Sequence, residues 1–422
     1  MNKSLILVLL IFLGACLSEE KADLADPSTF IRYFSDGYQD VAVTVEETAD
    51  KGFIILANST LQDSEAEDPL MKITLIKTDQ FGHEVWRQHF PEFGEDNIQY
   101  AGHGLVILPS GGYLIVGEEI ETPAPLIGEP DRQLLFIKVD VDPGGENLTV
   151  TRKVFLSSNV NTVGQAVALG DAGSFLVLAS RPGESKEIFV GEFDSALDTI
   201  WTRKYDQGKV KLANRIFYQA PNLAFGGEQQ QSASTFDGFV TPTPKDQETP
   251  PGGFTQRIGT STSNDFVGDF CLKGSGFGFV GYTDTRDAGD IAFYEVNAEG
   301  SQISSTIYDD EIFNGTPPPG VTNNKKEIAN SIAGTKDGGF IILGTIDTYT
   351  GVLGSGNTDL FMLKIDGFGG KIWSRPYGSL QADRGNCIRQ TSDGGYIILG
   401  TSNFGSQDTI LLIKTDKNGE VN

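Results

Sequence analysis

Short apolar runs, each opened by an aromatic residue and bounded by Gly and Asp, recur along the chain. The clearest is Tyr396-Ile397-Ile398-Leu399-Gly400, preceded by Thr391-Ser392-Asp393-Gly394-Gly395 and followed, after a polar loop, by Leu411-Leu412-Ile413-Lys414-Thr415-Asp416. The same pair stands at Asp337-Gly338-Gly339-Phe340-Ile341-Ile342-Leu343-Gly344 with Phe361-Met362-Leu363-Lys364-Ile365-Asp366, and at Asp50-Lys51-Gly52-Phe53-Ile54-Ile55-Leu56 with Leu75-Ile76-Lys77-Thr78-Asp79. Runs this short, rich in β-branched and aromatic residues and ended by turn residues, read as strands. Further copies open at Tyr113 and Phe175, and weaker ones at Phe225 and Phe277. The opening aromatics lie 60, 62, 50, 52, 63 and 56 residues apart, so seven units fill the chain.

Each unit reads as four strands: an inner strand, a tight Asp-Gly-Gly turn, the apolar run, the Ile-Lys-x-Asp strand, and a fourth strand opening near Trp. Four-stranded units repeated radially make an all-β propeller, here with seven blades. The three tryptophans agree in phase: Trp86, Trp201 and Trp373 all fall at the start of a fourth strand. The last unit stops before its own fourth strand, and Phe30-Ile31-Arg32-Tyr33-Phe34 carries the matching pattern of Trp201-Thr202-Arg203-Lys204-Tyr205. The N-terminal strand is therefore expected to pair into the last blade and close the ring, which removes a sheet edge.

Charge narrows the function classes. With 32 Lys+Arg against 57 Asp+Glu the net charge is −25, so polyanions are repelled and nucleic-acid binding is excluded. Lys3, the apolar run Leu5 to Leu13, and Gly14-Ala15 before Cys16 form a secretory signal too short to span a bilayer. The expected organisation is a signal peptide at 1–15, an acidic tether at 16–28 able to reach roughly 40 Å at full extension, and one propeller at 29–422.

Leu13-Gly14-Ala15-Cys16 resembles the bacterial lipobox, which implies lipidation of Cys16 and a membrane link through lipid alone. Ser18, Glu19 and Glu20 just after it resemble the surface-export signal of Bacteroidota lipoproteins, which implies an outer-membrane protein facing the exterior. The Thr-x-Asp-Gly-Gly-Tyr-Ile-Ile-x-Gly and Ile-Lys-x-Asp-x-x-Gly-x-x-x-Trp pair resembles the propeller repeats of lipoproteins and secreted proteins of that phylum, over about residues 29 to 422. A turn Gly followed by Trp also resembles quinoprotein blades, but those look eight-bladed with Trp in nearly every blade. Asp194-Ser195-Ala196, Asp198-Thr199-Ile200 and Asp408-Thr409-Ile410 resemble the O-glycosylation sequon of the same bacteria.

The long insertions fall between strands two and three (Thr60 to Met71, Glu118 to Gln133, Thr345 to Asp359) and between blades (Pro91 to Asn97, Asp309 to Glu327). In an up-and-down blade both classes open on one face, and long loops on a rigid scaffold carry function. That face is the expected partner-binding surface, with Glu118, Glu119, Glu121, Asp309, Asp310 and Glu311 as its acids and Tyr308 and Tyr349 among its aromatics. The alternative is a set of solvated loops. Catalysis finds no motif: His83, His89 and His103 have no helical ligand spacing, and Cys271 and Cys387 lie in different units with no partner, reading as buried free thiols. No cofactor is expected, although the Gly/Asp-rich stretches Asp284 to Asp290 and Gly354 to Asp359 leave calcium open. The reading is a non-catalytic binding or scaffold subunit of an outer-membrane protein complex. Its alternatives are a glycan-binding or polysaccharide-active accessory of nutrient uptake, or a quinoprotein-like enzyme.

Overall fold

The computed structural model describes residues 28–421 apart from 36–38, 62–69, 92–97, 122–130, 143–146, 156–160, 182–186, 206–209, 231–234, 248–256, 261–262, 285–288, 309–325, 348–357 and 405–406. Seven antiparallel sheets, six formed from consecutive strands and the last completed by the N-terminal strand, make a seven-bladed propeller. The innermost strands are Gln39–Glu47, Ile98–Ile107, Val163–Leu169, Val210–Gln219, Asp265–Lys273, Glu327–Gly334 and Ala382–Gln390. Six sheets have four strands, and the tryptophans stand on the outer ones, Glu84–Phe90, Thr199–Tyr205 and Lys371–Tyr377.

Blade 4 departs from the expected four. Among the described residues it has three strands, and a lone bridge from Gly238 to Ile258 marks where the fourth would lie. Its connection to blade 5 carries no Trp and no alternating apolar pattern, so little in it favours a regular ladder.

The ring closes as expected. Phe30–Phe34 pairs antiparallel with the third strand of blade 7, Phe30 opposite Lys414 and Phe34 opposite Ile410. Both phenylalanines are buried, in a core shared by blades 7 and 1.

The apolar runs are continuous rather than alternating because a blade is buried on both faces. Successive side chains on a strand point to opposite sides. Phe53, Ile55 and Ala57 therefore pack toward blade 7 while Ile54 and Leu56 pack toward blade 2. Seven such cores fill the seven seams.

The repeated polar letters have equally local causes. In the strand one to two turn of blade 6, Asp337 Oδ1 accepts from the Thr335 hydroxyl at 2.5 Å and the Gly339 amide at 3.0 Å, while buried Lys364 reaches Oδ2 at 3.0 Å. Thr391, Asp393 and Lys414 repeat this in blade 7, and Thr48, Asp50 and Lys77 in blade 1. The Thr-x-Asp turn and the distant Lys are thus one network.

The turn after the third strand binds blade to blade. Gly419 has φ +74°, and a Cβ there would sit 2.9 Å from the Trp373 ring of blade 6. Gly82, at φ +77°, stands in the same way against Phe30. Only glycine allows both that backbone and that approach.

Candidate functional site

Each innermost strand breaks register at the same height, so seven bulges ring the central channel, and that of blade 4 breaks a second time between Val210 and Leu212. The extra residues are Val43, His103, Gln165, Asn214, Gly268, Asn330 and Asn386. A bulge re-aims side chains out of the ladder. Here several of them bond the second strand of their own blade: Gln165 donates to Ser180 at 3.0 Å, Asn330 to Thr345 at 3.1 Å, and Thr401 donates to Asn386 at 3.1 Å. Thr345 and Thr401 in turn accept from the Gly385 and Ala42 amides of the next blade. Asn58 holds Gly102 through both its amide groups. These neutral side chains staple the ring from inside.

Blade 2 is different. Its bulge residue is His103, and the second-strand position that carries Asn58, Ser180, Thr345 and Thr401 in blades 1, 3, 6 and 7 carries Glu118. Glu118 is 4% exposed, not a loop residue, and lies on the strand Tyr113–Glu121. His103 Nε2 lies 3.3 Å from its Oε1, and Arg132 Nη1 donates to both its oxygens at 3.0 and 2.9 Å. Burial opposes the Glu118 charge, but His103 and Arg132 outweigh it and hold the carboxyl below its ordinary range. The sequence expectation of a partner-facing Glu118 is corrected: the strand continues four residues further than expected, through Glu121, and the Glu118 charge is spent inside. Glu119 pairs with Arg152 of the outer strand of its own blade.

Other expected contacts separate likewise. Tyr308 is buried, donating to the Gly369 carbonyl of the next blade at 2.7 Å, so it is no surface anchor. Glu121 ends its strand, with its side chain outside the described residues. Cys16, Ser18, Glu19, Glu20, Asp309, Asp310, Glu311 and Tyr349 also lie outside them, as do most of the two calcium-type loops. Among the described residues no group of three His, Cys, Asp or Glu is placed to hold a metal. In the glycosylation-like triplets Ser195 and Thr199 are exposed and Thr409 is buried.

Below the bulge ring the channel holds a cavity of about 410 Å³, lined by all seven inner strands from the bulge to the strand one to two turns. Its apolar wall includes Val106, Phe217, Phe270 and Ile332. Its charges are Arg215, bound through Nε and Nη2 to Asp269 of the next blade at 2.5 and 2.8 Å, and Arg389, bound through Nε at 2.8 Å to Glu46, which lines the cavity as well. Cys271 stands on this wall half-buried rather than buried as expected, and Cys387 is buried behind it. Burial pushes the Cys271 thiol well up, so it is a packing group and not a nucleophile. Sequence reading missed this site because its residues come one per blade from unlike copies. The signal was present in the charged residues after the bulge in blades 4, 5 and 7.

No protein-family model and no curated protein matches the chain. Among solved structures it is similar to the polysaccharide lyase Uly1, at 10% identity over 92% of this chain and 99% of that one, with a TM-score of 0.56. It is similar as well to a PL25 ulvan lyase bound to -[GlcA(1-4)Rha3S]-, at 9% identity over 92% and 96%, with a TM-score of 0.54. At such identities the likeness shows the fold, and the fold is a seven-bladed β-propeller.

Proposed function

We propose that the chain is a non-catalytic binding and scaffold propeller, carried on the outer membrane by lipid at Cys16, exposed to the exterior, and docked to an integral outer-membrane protein complex. One observation carries this reading: the ring has two unlike faces. Strands one and two, and three and four, are joined by short hydrogen-bonded turns on one face. The long connections Leu61 to Leu70, Glu121 to Arg132, Tyr308 to Glu327 and Asp347 to Thr358 open on the other.

The described chain starts at Ser28 on the turn face, because Phe30 pairs beside the end of the third strand of blade 7. A tether attached there leaves the long connections on the side away from the anchor. The lipobox and the acidic Ser18-Glu19-Glu20 stretch support the address. The tryptophans serve the seams: Trp86 packs against Tyr113 and Trp373 against Tyr396 of the following blades, so they need no quinone cofactor to account for them.

A second reading, a glycan-binding accessory of an uptake system, is favoured by the channel cavity and by two structural neighbours named as polysaccharide lyases. The two readings separate in a gentle-detergent pull-down of the lipidated chain from its native membrane. A stoichiometric outer-membrane protein that survives washing with soluble glycans supports docking. Its absence, with glycan retention on the purified chain, supports the second. Replacing Cys16 by Ala should abolish fatty-acid labelling and membrane association; label on the mutant contradicts the anchor.

A further inference from the structure

Of the two ion pairs of the channel, Arg215–Asp269 presents its cation, while Arg389–Glu46 presents both partners, Arg389 at 22% and Glu46 at 31% exposed. Asp269 is 1% exposed and Arg215 31%, so the acid lies behind its arginine. Both Asp269 oxygens are already filled, Oδ1 by Arg215 and the Phe270 amide, Oδ2 by Arg215, the Ser331 hydroxyl and the Ile332 amide. Across the channel Arg389 is fixed through Nε to Glu46 and through Nη1 to the Ile388 carbonyl at 2.9 Å. Each guanidinium is thereby immobilised by two donors and keeps one NH₂ group, Nη1 of Arg215 and Nη2 of Arg389, with no hydrogen-bond partner among the described residues. Rigid forks with spare donors are what oxyanion recognition uses.

Burial and Arg389 oppose the Arg215 charge, and Asp269 outweighs them, so the guanidinium stays a fixed cation. Two further features point to a ligand. The Asn214 side-chain oxygen is buried with no partner beside Arg215 on the same wall, an acceptor for a ligand hydroxyl. Phe217, Phe270, Val106 and Ile332 complete an apolar wall of the kind that surrounds a few placed polar groups in small-molecule sites.

We infer that the channel binds a small hydroxylated organic oxyanion, a carboxylate or sulfate on a compact body, held between Arg215 and Arg389 and entering from the turn face. The site is independent of docking through the long connections, on the opposite face. In a chain of net charge −25 it is a local exception to a surface that repels anions.

Calorimetric titration of the purified ring tests it with 4-hydroxybenzoate and D-glucuronate, each against its neutral counterpart, 4-hydroxybenzamide and D-glucose. One acid of the pair should bind at least tenfold more tightly than its neutral counterpart, which of the two reporting whether the body is aromatic or sugar. Arg389→Gln should weaken that binding at least tenfold. Because Arg215→Gln alone leaves Asp269 buried and unpaired, the double change Arg215→Gln/Asp269→Asn is the second variant, with the same loss expected in a protein that still unfolds in one cooperative transition. Equal affinity for acid and neutral forms, no binding of either acid, or binding unchanged in both folded variants overturns the inference.

Discussion

The Tyr377 hydroxyl, at the end of the outer strand of blade 6, donates its hydrogen bond to the Gly419 carbonyl in the turn of blade 7. Tyr308 and Gly369 repeat the clasp between blades 5 and 6. At the closing seam Phe34 stands at this position and has no hydroxyl to give. Tyr377→Phe should therefore cost about 1 kcal/mol, the net value of one such bond. Gly419→Ala should cost about 1–3 kcal/mol, since it forces a left-handed backbone on alanine and a Cβ into Trp373. Thermal unfolding of the two variants checks the order.

Closure predicts a larger loss. Phe30 is buried between blades 7 and 1, with its ring centroid 6.1 Å from that of Phe53. Phe30→Ala should cost about 3–5 kcal/mol, a large part of a typical total of about 5–15. Deleting residues 29–35 should cost more still. A deletion that melts within a few degrees of the intact ring contradicts the closure.

Glu118 is predicted to matter for folding, not for docking. Glu118→Ala leaves Arg132, 36% exposed, without its partner; solvent reaches the charge left behind, so the cost should fall below the buried-pair range, at about 1–3 kcal/mol. Denaturant unfolding should show the loss. Exposed substitutions seldom exceed about 0.5 kcal/mol, so a change that small would place Glu118 on the surface after all.

The Thr-x-Asp turns predict the acid limb of stability. Burial raises the Asp337 pKa, but Thr335, the Gly339 amide and Lys364 outweigh it and bring the carboxyl to about 2. Asp50 and Asp393 are lowered in the same way, against the same opposing burial. A group depressed on folding contributes stability above its unfolded value, near 4, and loses it as pH falls toward 2. These carboxylates are partly solvated, so each contribution is modest. The triple change of Asp50, Asp337 and Asp393 to Asn should flatten the fall in melting temperature between about pH 4 and pH 2; an unchanged slope would remove the network from the acid response.

Most of the fold was legible because each blade repeats the same physical problem. Tyr396-Ile397-Ile398-Leu399 must be apolar throughout to fill two seams, and Thr391, Asp393 and Lys414 must recur together to hold one turn. Blade 4 was less legible because the segment after Pro244 lacks the Trp-centred pattern that announces an outer strand. The functional surface was legible only in part. Glu118 reads like any other acid in Glu118-Glu119-Ile120-Glu121, and only the pairing of its strand with His103 and Arg132 shows it to be interior. Arg215, Asp269 and Arg389 are single departures in three different copies, and nothing local marks them as neighbours across a channel.

The central claim, docking through the face that carries the long connections, is met most directly by reversing Asp309, Asp310 and Glu311 to Lys in the lipidated chain and repeating the pull-down at low and high salt. Charges on an interface rim act mainly on association and are screened by salt. The account predicts partner capture strongly reduced at low salt, a smaller difference from the native chain at high salt, and a melting temperature nearly unchanged. Full capture by the reversed chain at low salt would contradict it, and would move the contact to the turn face or the outer strands.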